Sequence, residues 1–304
     1  MILRYRCKDL TWIDMESPTK EEVRQIMDEY NIHPLVADEL ISPTLRPKVD
    51  LYDNLIYLIL HFPVVYSMHG KSGGQEIDFV IGKNFLITSH YELIDPLHEF
   101  SKVFEVNSIL GKSDMGTHAG YLFYYMVKEL YRVLVIELDH ITEELEDIEE
   151  RIFKGEENQM VESISKVNRD LLNVKQAIRP HKEVLDSFDM AGKQFFGKEF
   201  SYHLQNISGE YYKVFSILEG QRETLLDLRI TNDSLLTTKT NEIMKNLTIV
   251  TFIIYPLSLI TGIFGMNAVF MPFVQGENGF YVILGLMLAT MLTIFIFFKS
   301  KKWL

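Results

Sequence analysis

Two apolar stretches without a charged residue, at positions 247–264 and 280–298, most restrict how this chain can fold. Each is close to the ~20 residues that an α-helix needs to cross a bilayer. Because the bilayer interior offers no water to unpaired backbone groups, such segments are expected to be helical. The chain is therefore predicted to contain a transmembrane hairpin, with spans at about 245–264 and 280–298 joined by a loop at 265–279.

The basic residues around this hairpin predict its orientation. Lys239 and Lys245 precede the first span and a basic tail, residues 299–304, follows the second, whereas the loop has neither Lys nor Arg. Since positively charged flanks tend to stay in the cytoplasm, both termini are predicted to be cytoplasmic and the loop external. Cys7 is the only cysteine, so no intrachain disulfide and no oxidising compartment are indicated.

The net charge of the 304-residue chain, −12 at pH 7, indicates the kind of partner it binds. Nucleic-acid-binding domains carry a basic footprint, so no nucleic acid is expected. An acidic surface instead attracts cations. No nucleophile–base pair, histidine metal cage or phosphate loop is evident in the sequence, and we predict neither an enzymatic activity nor an organic cofactor.

The first part of the chain, residues 1–115, is predicted to be a cytoplasmic α/β domain. Residues 49–65 and 78–89 have the composition of strands, and the second of these stretches contains a Gly-Lys-Asn turn. A helix is predicted at 19–30, because Ser-Pro-Thr precedes two glutamates in its first turn.

The second part, residues 116–244, is predicted to be a stalk of long helices. Residues 121–154 and 158–179 show amphipathic periodicity, and Pro180 is expected to kink or end the second helix. A further helix begins near residue 198 and meets no strong breaker before Pro256. With residues 245–304 as the membrane part, the predicted fold class is an α+β membrane protein.

A stripe of mostly small or polar residues runs along the first span at heptad spacing. Lipid would not favour such a face, so it should meet protein or water. A heptad period fits parallel copies around a shared axis, and two spans per chain cannot enclose a conduit alone. A plain helix–helix interface explains the same residues, and both interpretations stay open here. The stripe contains Asn241, Met244, Thr248, Thr251, Tyr255, Ser258, Gly262 and Gly265.

Several sequence segments together resemble the CorA family of magnesium transporters. The central one is the Gly-Met-Asn signature at residues 265–267, where the first span ends. A Gly-Met-Asn segment alone would be weak evidence for the resemblance. The other segments, however, occur in the family's order along nearly the whole chain. They are residues 12–14, 32–35, 46–49, 179–180, 183–185, 241–249, 256–257, 271–272 and 301–304.

The resemblance implies a homopentameric funnel in a lipid bilayer, at a prokaryotic inner or plasma membrane. Its activity would be passive transport of Mg²⁺, with Co²⁺ as a further substrate. A zinc or cobalt transporter of the same superfamily is an alternative. A tail-anchored cytosolic scaffold is an alternative of another class, and it would conduct no ions.

The resemblance also assigns a filter and a pore. Five Asn267 amide oxygens at the external mouth would accept hydrogen bonds from the hydration shell of Mg²⁺, with Gly265 and Met266 shaping the turn. Tyr255 departs from the family, whose members usually carry Met there. The family pattern puts Leu247 on the pore, whereas the strict heptad prefers Thr248. The predicted pore-lining residues are Asn241, Met244, Leu247, Thr251, Tyr255, Ser258 and Gly262.

Finally, the resemblance implies a regulatory Mg²⁺ site between subunits. It pairs an acid after the His-Pro-Leu segment, here Glu39 with Asp38 beside it, with an acid early in the long helix. That second position is Asn206, and Glu210 lies one turn further on. Two carboxylates would repel each other until a cation neutralised them, but an amide at one position weakens this logic.

Overall fold

The computed structural model describes residues 1–44, 46–63, 74–92, 94–110, 117–266 and 278–301. The chain forms two compact units, Met1–Arg229 and Ile230–Leu304. In chain order the elements are β1 (Ile2–Cys7), β2 (Leu10–Glu16), α1 (Lys20–Tyr30), α2 (Pro34–Glu39), β3 (Val49–Leu51), β4 (Ile56–Pro63), β5 (Gly74–Ile81), β6 (Phe85–His90), α3 (Asp95–Leu110), α4 (Ala119–Phe153), α5 (Glu157–Ile178), α6 (His181–Phe196), a 3₁₀ turn (Lys198–Phe200), α7 (Ser201–Phe264) and α8 (Gly279–Ser300).

The first unit is built on one six-stranded sheet with the order β1-β2-β6-β5-β4-β3. All neighbours are antiparallel except β2 and β6. The predicted strand at 49–65 is two strands, β3 and β4, and residues 64 and 65 lie outside the described part. The predicted turn at Gly-Lys-Asn is confirmed, because the Gly82 amide donates to the Phe85 carbonyl at 2.9 Å.

The two faces of the sheet pack on different helices, as the alternation of side chains along a strand requires. One face contributes Ile59 and Val80 to a core shared with Val23 of α1 and Val36 of α2. On the other face, Phe79 packs edge-on against Phe123 of α4 with 5.1 Å between ring centroids. The sheet therefore lies between helical layers, as predicted for an α/β domain.

The predicted helix at 19–30 is confirmed as α1, and its start has a local cause. The Thr19 hydroxyl accepts from the Glu22 amide at 3.3 Å, and the Glu22 carboxylate accepts from the Thr19 amide at 2.8 Å. This capping box satisfies two amides that the first helical turn leaves without partners.

The predicted long helices are confirmed, with one difference at the end of α7. The predicted helices at 121–154 and 158–179 correspond to α4 and α5, and α5 ends before Pro180. An unbroken helix was expected only to about Pro256, yet α7 runs through Pro256 to Phe264, the predicted end of the first span. Proline removes one backbone hydrogen bond, but losing the remaining bonds in an apolar stretch would cost more. The division at residues 115 and 244 remains a prediction.

Candidate functional site

The second unit contains most of the residues predicted to handle an ion. Two helices, Lys198–Phe264 with its 3₁₀ start and Gly279–Ser300, contain stretches long and apolar enough to cross a membrane. Among the described residues of this unit, only Asn232, Ile249, Gly279 and Phe298 are buried within the chain. The many exposed apolar side chains on α7 and α8 indicate a surface covered by lipid or by other copies of the chain.

The predicted pore-lining residues all lie on exposed positions of α7. Met244, Leu247 and Tyr255 are 54%, 57% and 73% exposed. The four other predicted pore-lining residues are also exposed in a single chain: Asn241, Thr251, Ser258 and Gly262. Their assignment to a pore stays a prediction, and their shared exposure is compatible with it.

The contact between α7 and α8 lies on a different side of α7 from these residues. Phe252 of α7 packs edge-on against Phe298 of α8, with 6.1 Å between ring centroids. Ile249, one turn before Phe252, is only 6% exposed. At about 100° per residue, the direction of Ile249 is roughly opposite to the average direction of the predicted pore-lining residues. The predicted pore-lining residues therefore point, on average, away from the buried side of α7.

The threonine hydroxyls of this segment already use their hydrogens within α7. Thr248 donates to the Met244 carbonyl at 2.7 Å and Thr251 donates to the Leu247 carbonyl at 2.8 Å. A hydroxyl that has donated its hydrogen still has oxygen lone pairs to accept with. Water molecules around a cation present hydrogens outward, so Thr251 offers them the matching acceptor.

Of the predicted filter, the structure describes Gly265 and Met266, while Asn267 lies outside the described residues. The Gly265 amide donates to the Thr261 carbonyl at 2.8 Å. A Cβ at this glycine would lie 2.8 Å from the same carbonyl oxygen, closer than side-chain carbons come in proteins. Met266 follows with its side chain 64% exposed. The close approach of the backbone at Gly265 is the reason that glycine is needed where α7 ends.

At the predicted regulatory site, Glu39 already has a cationic partner inside the chain. The Lys48 ammonium lies 2.9 Å from one carboxylate oxygen and 2.8 Å from the other. It also contacts Asp50 at 2.7 Å. Burial lowers the pKa of Lys48, but the hydrogen bonds that its ammonium donates to Asp50 and Glu39 outweigh this and leave its pKa raised. Asp38, beside Glu39, is exposed.

The other half of the predicted regulatory site has a different partner. The Asn206 amide nitrogen donates to the Tyr124 hydroxyl at 3.0 Å. Asn206 and Glu210 are both half-buried on α7. Within one chain, the part that the structure describes contains no group of three or more His, Cys, Asp or Glu side chains that could hold a metal. A site that joins Glu39 to Asn206 across subunits remains a prediction.

Two carboxylates on β5 are buried, although no sequence pattern indicates it. Glu76 and Asp78 are two residues apart, so they share one face of the strand, and Asp78 is 0% exposed. The Thr44 amide donates to Glu76 at 2.7 Å, and His61 approaches it at 3.2 Å. The Tyr57 hydroxyl lies 3.4 Å from Asp78. Burial, and then the nearby charge of Glu76, raise the pKa of Asp78 well above its usual range.

Comparisons with known proteins agree with this arrangement of elements. The family described as CorA-like Mg²⁺ transporter protein matches residues 8–301. The Cobalt/magnesium transport protein CorA of Thermotoga maritima is 27% identical over 97% of this chain and 83% of that protein. The protein of the same name from Methanocaldococcus jannaschii is 24% identical over 97% of this chain and 92% of that protein. The complete structure of the CorA magnesium transporter from that organism covers 99% of this chain and 94% of its own, with a TM-score of 0.84 and 22% identity.

Proposed function

The chain belongs to the CorA-like Mg²⁺ transporter family, and from this premise we propose that it is a passive channel for Mg²⁺ that also accepts Co²⁺. Members of this family are transporters, so the chain is a divalent cation transporter and not an enzyme. The two ions are those that the related proteins are named for. Mg²⁺ is thus substrate, and a second role as a regulatory ligand belongs to the proposal.

The observation that carries the proposal is the exposed face of α7, which ends at Gly265 and does not contact α8. In a ring of chains this face would surround a shared axis, because each chain supplies only one such helix. We take the ring to be a pentamer by resemblance to the family. Lipid would then cover α8, whose described residues are apolar apart from its ends and two threonines that donate to their own helix.

Selection would act on the hydrated ion. Mg²⁺ gives up its waters reluctantly, so oxygen acceptors that bind the hydration shell cost less than direct ligands. Asn267 amides at the external mouth would form the first ring of acceptors. Ser258 and Thr251 would form later ones along the path. Because these groups are neutral, the ion is attracted without being trapped.

Conduction through this path would need no coupled energy source. An inside-negative potential of 100 mV favours entry of a divalent cation by about 4.6 kcal/mol, since each elementary charge contributes about 2.3 kcal/mol. The apolar side chains of Met244 and Leu247 would form the gate, and Asn241 would form a polar ring at the cytoplasmic exit. Opening would be controlled by the cytoplasmic domain at residues 1–115 through the stalk at 116–244.

This mechanism requires one orientation. Both termini would lie in the cytoplasm and the loop after Met266 would be external, at a prokaryotic inner or plasma membrane. The lysines at positions 239, 245, 299 and 301, all on one side of the hairpin, support this placement. A second candidate function is transport of zinc or cobalt, and it is favoured by Tyr255. Its ring is 73% exposed on the predicted pore face and would change the width and the ligand set there.

The test is divalent cation entry into proteoliposomes that contain a Mg²⁺-sensitive dye, with Co²⁺ and Zn²⁺ measured in parallel. We expect Mg²⁺ entry in the parent protein and its loss in Asn267→Ala. The matched control is Asn278→Ala, because Asn278 precedes α8 and its side chain makes no capping bond. Zn²⁺ entry without Mg²⁺ entry would favour the second candidate. Correctly inserted protein that conducts no metal would favour a membrane-anchored scaffold.

A further inference from the structure

Phe252 of α7 and Phe298 of α8 form an aromatic contact in which Phe298 is buried and Phe252 keeps 59% of its surface exposed. The two rings meet edge-on at 6.1 Å between centroids. Phe298 is 4% exposed, whereas Phe295, one turn earlier on α8, is 50% exposed. An aromatic pair in this geometry is more directional than a contact between aliphatic side chains.

The position of Phe252 on α7 gives this contact a consequence for the neighbouring turn. At about 100° per residue, Thr248 points only about 40° away from Phe252, and Leu247 points about 140° away. When Phe252 contacts α8, Leu247 therefore points to the side of α7 that faces away from α8. Thr248 then points to a position beside the contact. The exposures agree, because Leu247 is 57% exposed and Thr248 is half-buried.

We propose that Phe298 is a positioning residue for transport, which holds the rotation of α7 so that Leu247 rather than Thr248 faces the conduction path. This inference rests on the proposed function, since it needs a path along this face of α7. Without the contact, α7 could rotate towards the register in which Thr248 faces the axis. A threonine there would replace an apolar constriction by a hydroxyl acceptor and would weaken closure.

The experiment measures how fast a water-soluble methanethiosulfonate reagent modifies Leu247→Cys and Thr248→Cys in protein reconstituted into nanodiscs. Thiols react as thiolates, which form where water reaches them and not where lipid covers them. Both variants also carry Cys7→Ala, so that the introduced cysteine is the only thiol in the chain. Cys7 is buried in the parent protein. In the parent we expect the cysteine at 247 to react faster than the cysteine at 248.

Adding Phe298→Ala should lower the ratio of the two rates by about two- to tenfold, the factor that one aromatic pair contributes to an equilibrium. Phe298→Tyr keeps the ring and should restore the parent ratio. Phe295→Ala removes an exposed ring from the same helix and should leave the ratio unchanged. If Phe298→Ala does not assemble, Phe252→Ala removes the same contact from α7 and should give the same shift.

An unchanged ratio in both alanine variants would overturn the proposal, and so would an equal shift in Phe295→Ala. The proposed function fails in a different way. If neither cysteine reacts in parent protein that conducts Mg²⁺, the path does not run along this face of α7. Closure of the conduction path is measured separately, as Mg²⁺ leak at high internal Mg²⁺. Phe298→Ala should increase this leak, and Phe295→Ala should not.

Discussion

The Lys48 ammonium lies 2.8 Å from a carboxylate oxygen of Glu39, so this acid has a cationic partner within its own chain. A carboxylate that is already neutralised gains less from a metal ion than an isolated one. Lys48 also contacts Asp50, which makes the arrangement a three-residue cluster. Asn206 carries an amide at the position where the resemblance predicts a second acid, so both halves of the predicted regulatory site are weakened for different reasons.

We therefore expect Glu39→Ala to leave the inhibition of transport by internal Mg²⁺ almost unchanged. The pair with Lys48 is partly solvent-exposed, so its loss should cost stability less than about 1 kcal/mol. The measurement is the half-inhibiting Mg²⁺ concentration in proteoliposomes. Asn206→Asp is the reverse test, because it restores a carboxylate and should make inhibition more sensitive to Mg²⁺. A large loss of inhibition in Glu39→Ala would refute this account.

The buried carboxylate of Asp78 predicts a pH dependence of stability. Its folded pKa is raised by burial and by Glu76, so the folded state binds more protons than the unfolded state above the ordinary aspartate value of 3.8. Stability is then lost as pH rises from that value towards the folded pKa. Asp78→Asn should reduce this slope in thermal unfolding measured across pH. Asp28→Asn, on the exposed side of α1, should keep the parent slope.

His118, at the start of α4, should give the opposite dependence of folding stability on pH. Its ring stacks on Phe196 at 4.3 Å, and burial, with a smaller effect of the nearby His203, lowers its pKa to about 4. The folded state therefore binds fewer protons than the unfolded state, and stability is lost as pH falls from 6.5 towards 4. We expect His118→Phe to be less sensitive to acid. Unfolding curves that fall equally steeply in both proteins below pH 6.5 would contradict the prediction.

Gly265→Ala should reduce Mg²⁺ entry strongly while the protein still inserts and assembles. The added Cβ would lie 2.8 Å from the Thr261 carbonyl oxygen, so the backbone that leads into the Gly-Met-Asn segment must move. Gly285→Ala on α8 is the matched control, because nothing lies within 4 Å of its Cβ position in the chain. Proteoliposome flux, normalised to inserted protein, separates the two variants. Normal flux in Gly265→Ala would show that this close approach does not shape the entrance.

Much of the fold could be predicted because its signals are local. Charge-free stretches of membrane-spanning length predicted the ends of α7 and α8, and amphipathic periodicity predicted α4 and α5. Thr19 and Glu22 showed where α1 begins, since capping involves residues only three positions apart. The break expected at Pro256 is absent from α7, because the apolar surroundings of this proline favour a continuous helix more than proline disfavours it.

The candidate site likewise has some features that the sequence predicts and others that appear only in the folded chain. The family, the hairpin, the polar stripe and the Gly-Met-Asn signature can all be recognised in the sequence, since each depends on residue type and spacing along the chain. The pairing of Lys48 with Glu39, the burial of Asp78 and the contact of Phe298 with Phe252 are visible only in the folded chain. These features depend on distances between residues far apart in sequence. Periodicity along one segment carries no information about such distances.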